Sequence, residues 1–169
     1  MINETMLSEV ELFSELTPDE IKKVIKYFRQ VKLPKGTVLF KTRDFGDELY
    51  IITSGKIRIS REVGGDVELV FTILGPGTFF GEIAVIDELY RSATATAEED
   101  SELGSISRSD LDELAAKEPR TAYKLVYSIA KVLSHRIRRS NEAMETYIRI
   151  NRALVENQGF RDLYRGMFG

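Results

Sequence analysis

Glu82 and Arg91 stand at the two ends of one short, largely apolar part of the stretch FGEIAVIDELYRSATATA, Phe80 to Ala97. Gly81 directly precedes the acid, and Ser92 and Ala93 directly follow the arginine. A glycine at the start of a helix lets backbone N–H groups approach an anion closely, and the helix N-terminus favours negative charge. Arg91 adds a permanent planar cation able to grip two oxygens of a phosphate, with the Ser92 hydroxyl and the Ala93 N–H as further donors. A carboxylate is repelled by the same anion. Glu82 is therefore expected to accept a hydrogen bond from a neighbouring sugar hydroxyl, as acidic residues do for ribose in dinucleotide sites.

Composition narrows the alternatives. The chain has no cysteine and one histidine, His135, which excludes thiolate and multi-histidine metal centres and leaves little for nucleophilic catalysis. No enzyme activity, metal or cofactor is expected. A net charge of −3 supplies no global attraction to nucleic acid. No apolar run approaches the roughly 18 to 20 residues that cross a bilayer, and MINETMLSEVELF lacks the pattern of a secretory signal. The expectation is a cytoplasmic protein without membrane association.

The elements around the site can be read from periodicity. LTPDEIKKVIKYFRQV carries Thr17 as N-cap, Pro18 at the first helical position and Glu20 to complete a capping box. Ile21, Val24, Ile25 and Phe28 then fall on one face, which predicts an amphipathic helix. Short β-branched and aromatic runs follow: TVLF, ELYIITSG, KIRIS, VELVFTIL, TATA and ELGSIS. Turn signals at Pro34-Lys35-Gly36, Phe45-Gly46-Asp47, Ser54-Gly55, Gly64-Gly65 and Gly75-Pro76-Gly77 separate the earlier of them. Turns about every ten residues predict an eight-stranded antiparallel jelly roll rather than a parallel sheet. A short helix capped by Ser107 or Ser109 is expected to stop near Pro119. A longer one follows, with Ala122, Val126, Ile129, Leu133 and Ile137 as a narrow apolar stripe suited to a partner helix. From about Glu145 the sequence reads as a further weak helix, broken at Gln158-Gly159, and a polar-aromatic tail.

A sugar hydroxyl and a singly charged phosphate side by side in a compact ring describe a 3′,5′-cyclic nucleotide. FGEIAV followed at this distance by RSATA closely resembles the phosphate-binding cassette of cyclic-nucleotide-binding domains, the kind found in bacterial catabolite activators and in the regulatory subunits of protein kinase A. LGPGTFFGE ahead of it matches as well, and the resemblance runs over roughly residues 7 to 140. It implies a mainly β jelly roll with N-terminal helices and a long C-terminal helix. Residues 1–140 would then form the binding domain and residues 141–169 a helical extension.

The resemblance further implies that Gly81, Ile83, Ala84, Ser92 and Ala93 form the phosphate cradle. Glu82 would be the ribose 2′-OH acceptor and Arg91 the phosphate cation. Phe71, Thr72 and Leu74 are expected to face the base, and His135 and Arg136 to contact the base or a dimer mate. His135 reads better as a solvated helix residue, with a haem ligand as the lesser alternative. Ser92 beside Arg91 leans toward cyclic AMP, with cyclic GMP possible. A homodimer through residues 120–148 and an unidentified effector protein complete the expected partners. Only 29 residues follow Ser140 (169 minus 140), too few for a winged helix-turn-helix, so no direct DNA binding is expected of the chain as given. Two alternatives stay open: a ligand-free protein-interaction module on the same fold, and a fragment of a larger regulator.

Overall fold

The computed structural model describes residues 4–64, 67–159 and 162. Gly65, of the expected Gly64-Gly65 turn, and the tail from Leu163 onward lie outside them. Two compact units divide the chain, residues 1–129 and residues 130–169. In the first, helices α1 (Glu4–Ser8) and α2 (Pro18–Val24) precede eight strands: β1 (Arg29–Leu33), β2 (Val38–Phe40), β3 (Glu48–Ser54), β4 (Ile57–Glu62), β5 (Glu68–Leu74), β6 (Phe79–Phe80), β7 (Thr94–Ala97) and β8 (Ser101–Ser107). Helix α3 (Glu82–Asp87) sits between β6 and β7. Helices α4 (Arg108–Lys117) and α5 (Pro119–Glu156) follow the last strand.

The strands form two four-stranded antiparallel sheets, ordered β1-β8-β3-β6 and β2-β7-β4-β5. One core cluster draws on both: Leu33, Tyr50, Ile52, Phe80 and Leu103 from the first sheet, Ile57, Ala95 and Ala97 from the second. The expected eight-stranded jelly roll is the observed fold. Alanines on β7 let the sheets approach, and the bulk comes from the facing aromatic and branched residues.

Two elements differ from the sequence expectation. Helix α2 stops at Val24 and gives way to a single 3₁₀ turn over Ile25–Tyr27, whereas the apolar pattern had carried it to Val31. Tertiary pairing overrides that pattern, because Arg29–Leu33 is taken up as β1 against Ser101–Ser105 of β8. The further helix expected beyond residue 140 is not separate either. α5 runs unbroken to Glu156, since residues 141–156 contain neither proline nor glycine and Arg152 pairs with Glu156 one turn on.

Local caps behave as the sequence predicts. Thr17 accepts from the Glu20 N–H while the Glu20 carboxylate accepts from the Thr17 N–H, and Ser107 with Asp110 repeats the arrangement at α4. Glu20 also receives the Lys124 ammonium at 2.6 Å. The hydrogen bond from Lys124 and that from the Thr17 backbone hold the Glu20 carboxyl down at about 2. A carboxyl depressed on folding contributes stability above its unfolded value near 4.5, and that contribution is lost as pH falls toward 2. Melting temperatures recorded across that window should fall less steeply with acid for Glu20→Gln than for the parent chain.

Gly55 turns the chain between β3 and β4 with φ +83°. A Cβ there would stand 2.6 Å from the Ser101 Cα and 2.7 Å from the Asp100 carbonyl oxygen. Backbone cannot yield as a side-chain tip can, so Gly55→Ala combines left-handed strain with a clash. A loss of about 2 kcal/mol or more, read by denaturant unfolding, is the expected result.

Candidate functional site

The site begins where β6 ends. Phe79 and Phe80 are both buried, paired with Ile51 and Tyr50 of β3. Gly81 then takes a left-handed conformation, φ +81°, as the N-cap of α3. An L side chain would be strained at that φ and would also collide, its Cβ lying 2.8 Å from Arg91 Nη1 and 3.0 Å from the Glu48 carbonyl oxygen. Glu82 opens α3 and is 2% exposed, and Ala84 and Val85 are buried beside it, while Ile83 faces outward.

Arg91 closes the segment and is 5% exposed, so it is no surface residue. Its backbone is clamped to the Lys41–Asp47 loop: the Arg91 N–H donates to the Asp44 carbonyl at 2.8 Å, and the Arg43 N–H donates to the Arg91 carbonyl at 2.9 Å. A β-bridge joins Phe45 to Tyr90 next door. The side chain is fixed by two hydrogen bonds from Nη1, to Glu48 O at 2.8 Å and Gly81 O at 3.0 Å. Its guanidinium carbon lies 4.2 Å from the Phe40 ring centre and 5.6 Å from that of Tyr50. Phe40, Tyr50 and Phe80 pack on one another with centres 5.4 to 6.1 Å apart.

Both hydrogen bonds use Nη1 and run to carbonyls rather than carboxylates. Nε is buried without a partner among the described residues. Burial pulls the guanidinium pKa down, opposed by the carboxylate charges of Asp47, Glu48 and Asp44, and a guanidinium so placed still stays protonated. Gly46 packs against that Nε, leaving no room there for a Cβ. Underneath, the Tyr50 hydroxyl donates to Glu48 Oε2 at 2.7 Å. Burial and that hydrogen bond push the phenol up, which keeps it a neutral donor.

Of the residues expected in the cradle, Gly81 and Arg91 meet through the Gly81 carbonyl; Glu82 and Ala84 are buried on α3, Ala93 is buried, and Ile83 and Ser92 are exposed. Residues 30–118 match the model of the cyclic nucleotide-binding domain family. The chain belongs to that family. It is 38% identical over 122 residues to the cyclic AMP receptor protein of Thermus thermophilus, a match that covers 72% of this chain and 56% of that relative. Among solved structures it is similar to the Thermus thermophilus catabolite activator protein, with a TM-score of 0.72 and 35% identity over 81% of this chain and 62% of the other. The regulatory domain of Toxoplasma gondii PKA, co-crystallised with cAMP, gives a TM-score of 0.59 at 30% identity, covering 65% and 42%. The chain therefore spans little more than half the length of the curated relative.

Within this cyclic nucleotide-binding domain the three residues expected to face the base are not equivalent. Leu74 is half-buried against the core cluster, whereas Phe71 and Thr72 are exposed. The register passes from Ile59↔Thr72 to Ser60↔Val70, which leaves Phe71 as the extra residue of a bulge. His135 is exposed and Arg136 half-buried, both on α5 in the second unit. Sequence reasoning missed Phe40, Gly46, Glu48 and Tyr50, which seat Arg91. Each read as an ordinary strand or turn residue, and only their convergence on one guanidinium gives them a role. Among the described residues no helix is long and apolar enough to cross a membrane, and no cluster of three metal-ligating side chains occurs.

Proposed function

We propose that the chain is a cyclic-nucleotide sensor that prefers cyclic AMP and passes the signal on through α5. The observation that carries this reading is Arg91: a buried guanidinium, held from behind by two carbonyls and an aromatic floor, with a buried Nε that no protein group among the described residues accepts from. An orphaned charged donor is costly unless a ligand meets it. Arg91 and the N–H groups that open α3 would hold the cyclic phosphate, with Ser92 and Ala93 as further donors. Glu82 would accept from the ribose 2′-OH, and Thr72 and Leu74 with the bulged Phe71 would line the base. Support for adenine comes from relatives whose names specify cyclic AMP and from Ser92 where a threonine would offer guanine a better-placed hydroxyl.

The same reading includes a homodimer. Of the five residues read as the α5 stripe, Ile129 is buried within the first unit, while Val126 and Ile137 are 54% and 60% exposed. The seam runs instead through the exposed Tyr123, Val126, Ala130 and Ile137 and the half-buried Leu133, alternating by three and four. Phosphate capture would tighten α3 around Gly81 and bias the helices that follow, toward an effector protein that reads the change. Competition at equal concentrations tests the base assignment. Unlabelled cyclic AMP should displace a fluorescent cyclic AMP analogue at least about tenfold more effectively than cyclic GMP, a difference worth about 1.4 kcal/mol. Equal displacement would remove the preference while leaving the sensor.

A further inference from the structure

The seam described for the dimer continues past Ile137 through Ser140, Met144, Tyr147, Asn151 and Leu154 without a change of phase. In heptad terms Tyr123, Ala130, Ile137, Met144 and Asn151 occupy a, and Val126, Leu133, Ser140, Tyr147 and Leu154 occupy d. What changes beyond residue 141 is the width of the face. At 3.6 residues per turn, Ala143, Met144, Tyr147, Ile148, Ile150, Asn151, Leu154 and Val155 share an arc of about 160°. Glu142, Glu145, Thr146, Arg149, Arg152, Ala153 and Glu156 fill the remainder. The six large apolar residues on that arc are each between 41% and 63% exposed.

A two-stranded coil buries a and d and leaves e and g on its flanks, where charged residues usually stand. Here the distal e positions are Ile148 and Val155, and the distal g positions are Ala143 and Ile150. A dimer alone would leave those apolar flanks in water. We propose that the distal half of α5 is a four-helix assembly surface on which two dimers of this chain meet; the inference rests on the dimer reading above.

A second copy fits better than other occupants for three reasons. A strict seven-residue repeat drifts by about 20° per heptad on a straight helix, so an unbroken phase from Tyr123 to Leu154 suits partner helices that supercoil alongside for the same length. The e and g positions beyond Arg136 carry no charge, so identical chains meet no like-charge repulsion there. Asn151, whose amide both donates and accepts, can pair with its own copies in register. A lipid surface is disfavoured, because Glu142, Glu145 and Glu156 outnumber Arg149 and Arg152 on the polar face.

Sedimentation equilibrium of the full chain tests the proposal. The parent protein should sediment as a tetramer at micromolar concentration, and the double variant Ile148→Lys, Ile150→Lys as a dimer with its helical circular dichroism retained. A parent protein that sediments as a dimer overturns the four-helix assembly and leaves the dimer standing, while a monomer overturns both. A double variant that remains tetrameric overturns the assignment of these flanks. Nucleotide titration of the double variant reports separately on the sensor, whose site lies in the first unit.

Discussion

Replacing Arg91 with alanine is expected to weaken cyclic AMP binding by about 100-fold or more. Two charge-assisted hydrogen bonds to phosphate oxygens, at about 1.5–3 kcal/mol each, already account for that factor. The fold should survive the change. The side chain sits over Phe40 and Tyr50 at the edge of the core cluster, and removing it also removes a buried charge that lacks a full set of partners. Loss of its bonds to Glu48 O and Gly81 O works the other way, so the nucleotide-free melting temperature should fall by only a few degrees. Arg91→Lys discriminates further: a lysine keeps the charge but cannot present a planar fork, and its affinity should lie between those of the parent and the alanine variant. Titration calorimetry on all three, with melting curves alongside, checks both parts.

The second large effect is expected from a residue that need not touch ligand. Gly46 packs against the Arg91 side chain so closely that a Cβ would overlap its Nε and lie 2.6 Å from its Cδ and its Cζ. Those atoms belong to the flexible end of a long side chain, so Gly46→Ala should push the guanidinium off its aromatic seat rather than unfold the roll. Cyclic AMP affinity should drop by more than about tenfold, since the fork loses its aim as well as its two carbonyl anchors. Far-ultraviolet circular dichroism should stay unchanged. Gly55→Ala offers the contrast: its Cβ meets backbone, and stability is what it should lose. If Gly46→Ala bound cyclic AMP like the parent, the precise seating of Arg91 would not matter to affinity.

Much of this site is legible in the amino-acid sequence because its chemistry is local. Gly81, Glu82, Arg91, Ser92 and Ala93 lie within thirteen consecutive positions (81 to 93), and their types alone specify an anion with a hydroxyl beside it. Helix caps are legible for the same reason, since Thr17 with Glu20 and Ser107 with Asp110 act across three residues. The seat of Arg91 is not, because Phe40, Gly46, Glu48 and Tyr50 reach it across more than forty residues in sequence. Strand β1 is hidden by a helical-looking spacing from Ile21 to Phe28, and only pairing with β8 resolves it. Strand β6 consists of Phe79 and Phe80, too short to show an alternation. On α5 the sequence stripe mixes two faces: Ile129 turns into the first unit while Val126 and Ile137 turn outward.

The sensor reading stands or falls on whether the buried, half-satisfied Arg91 exists to meet a nucleotide. Isothermal titration of the full chain with cyclic AMP, on protein verified by absorbance to be free of bound nucleotide, tests this most directly. The expected result is saturable binding with one nucleotide per chain. A flat titration, with a melting temperature unmoved by millimolar cyclic AMP, would contradict the sensor and leave Arg91 as a structural residue of the cassette.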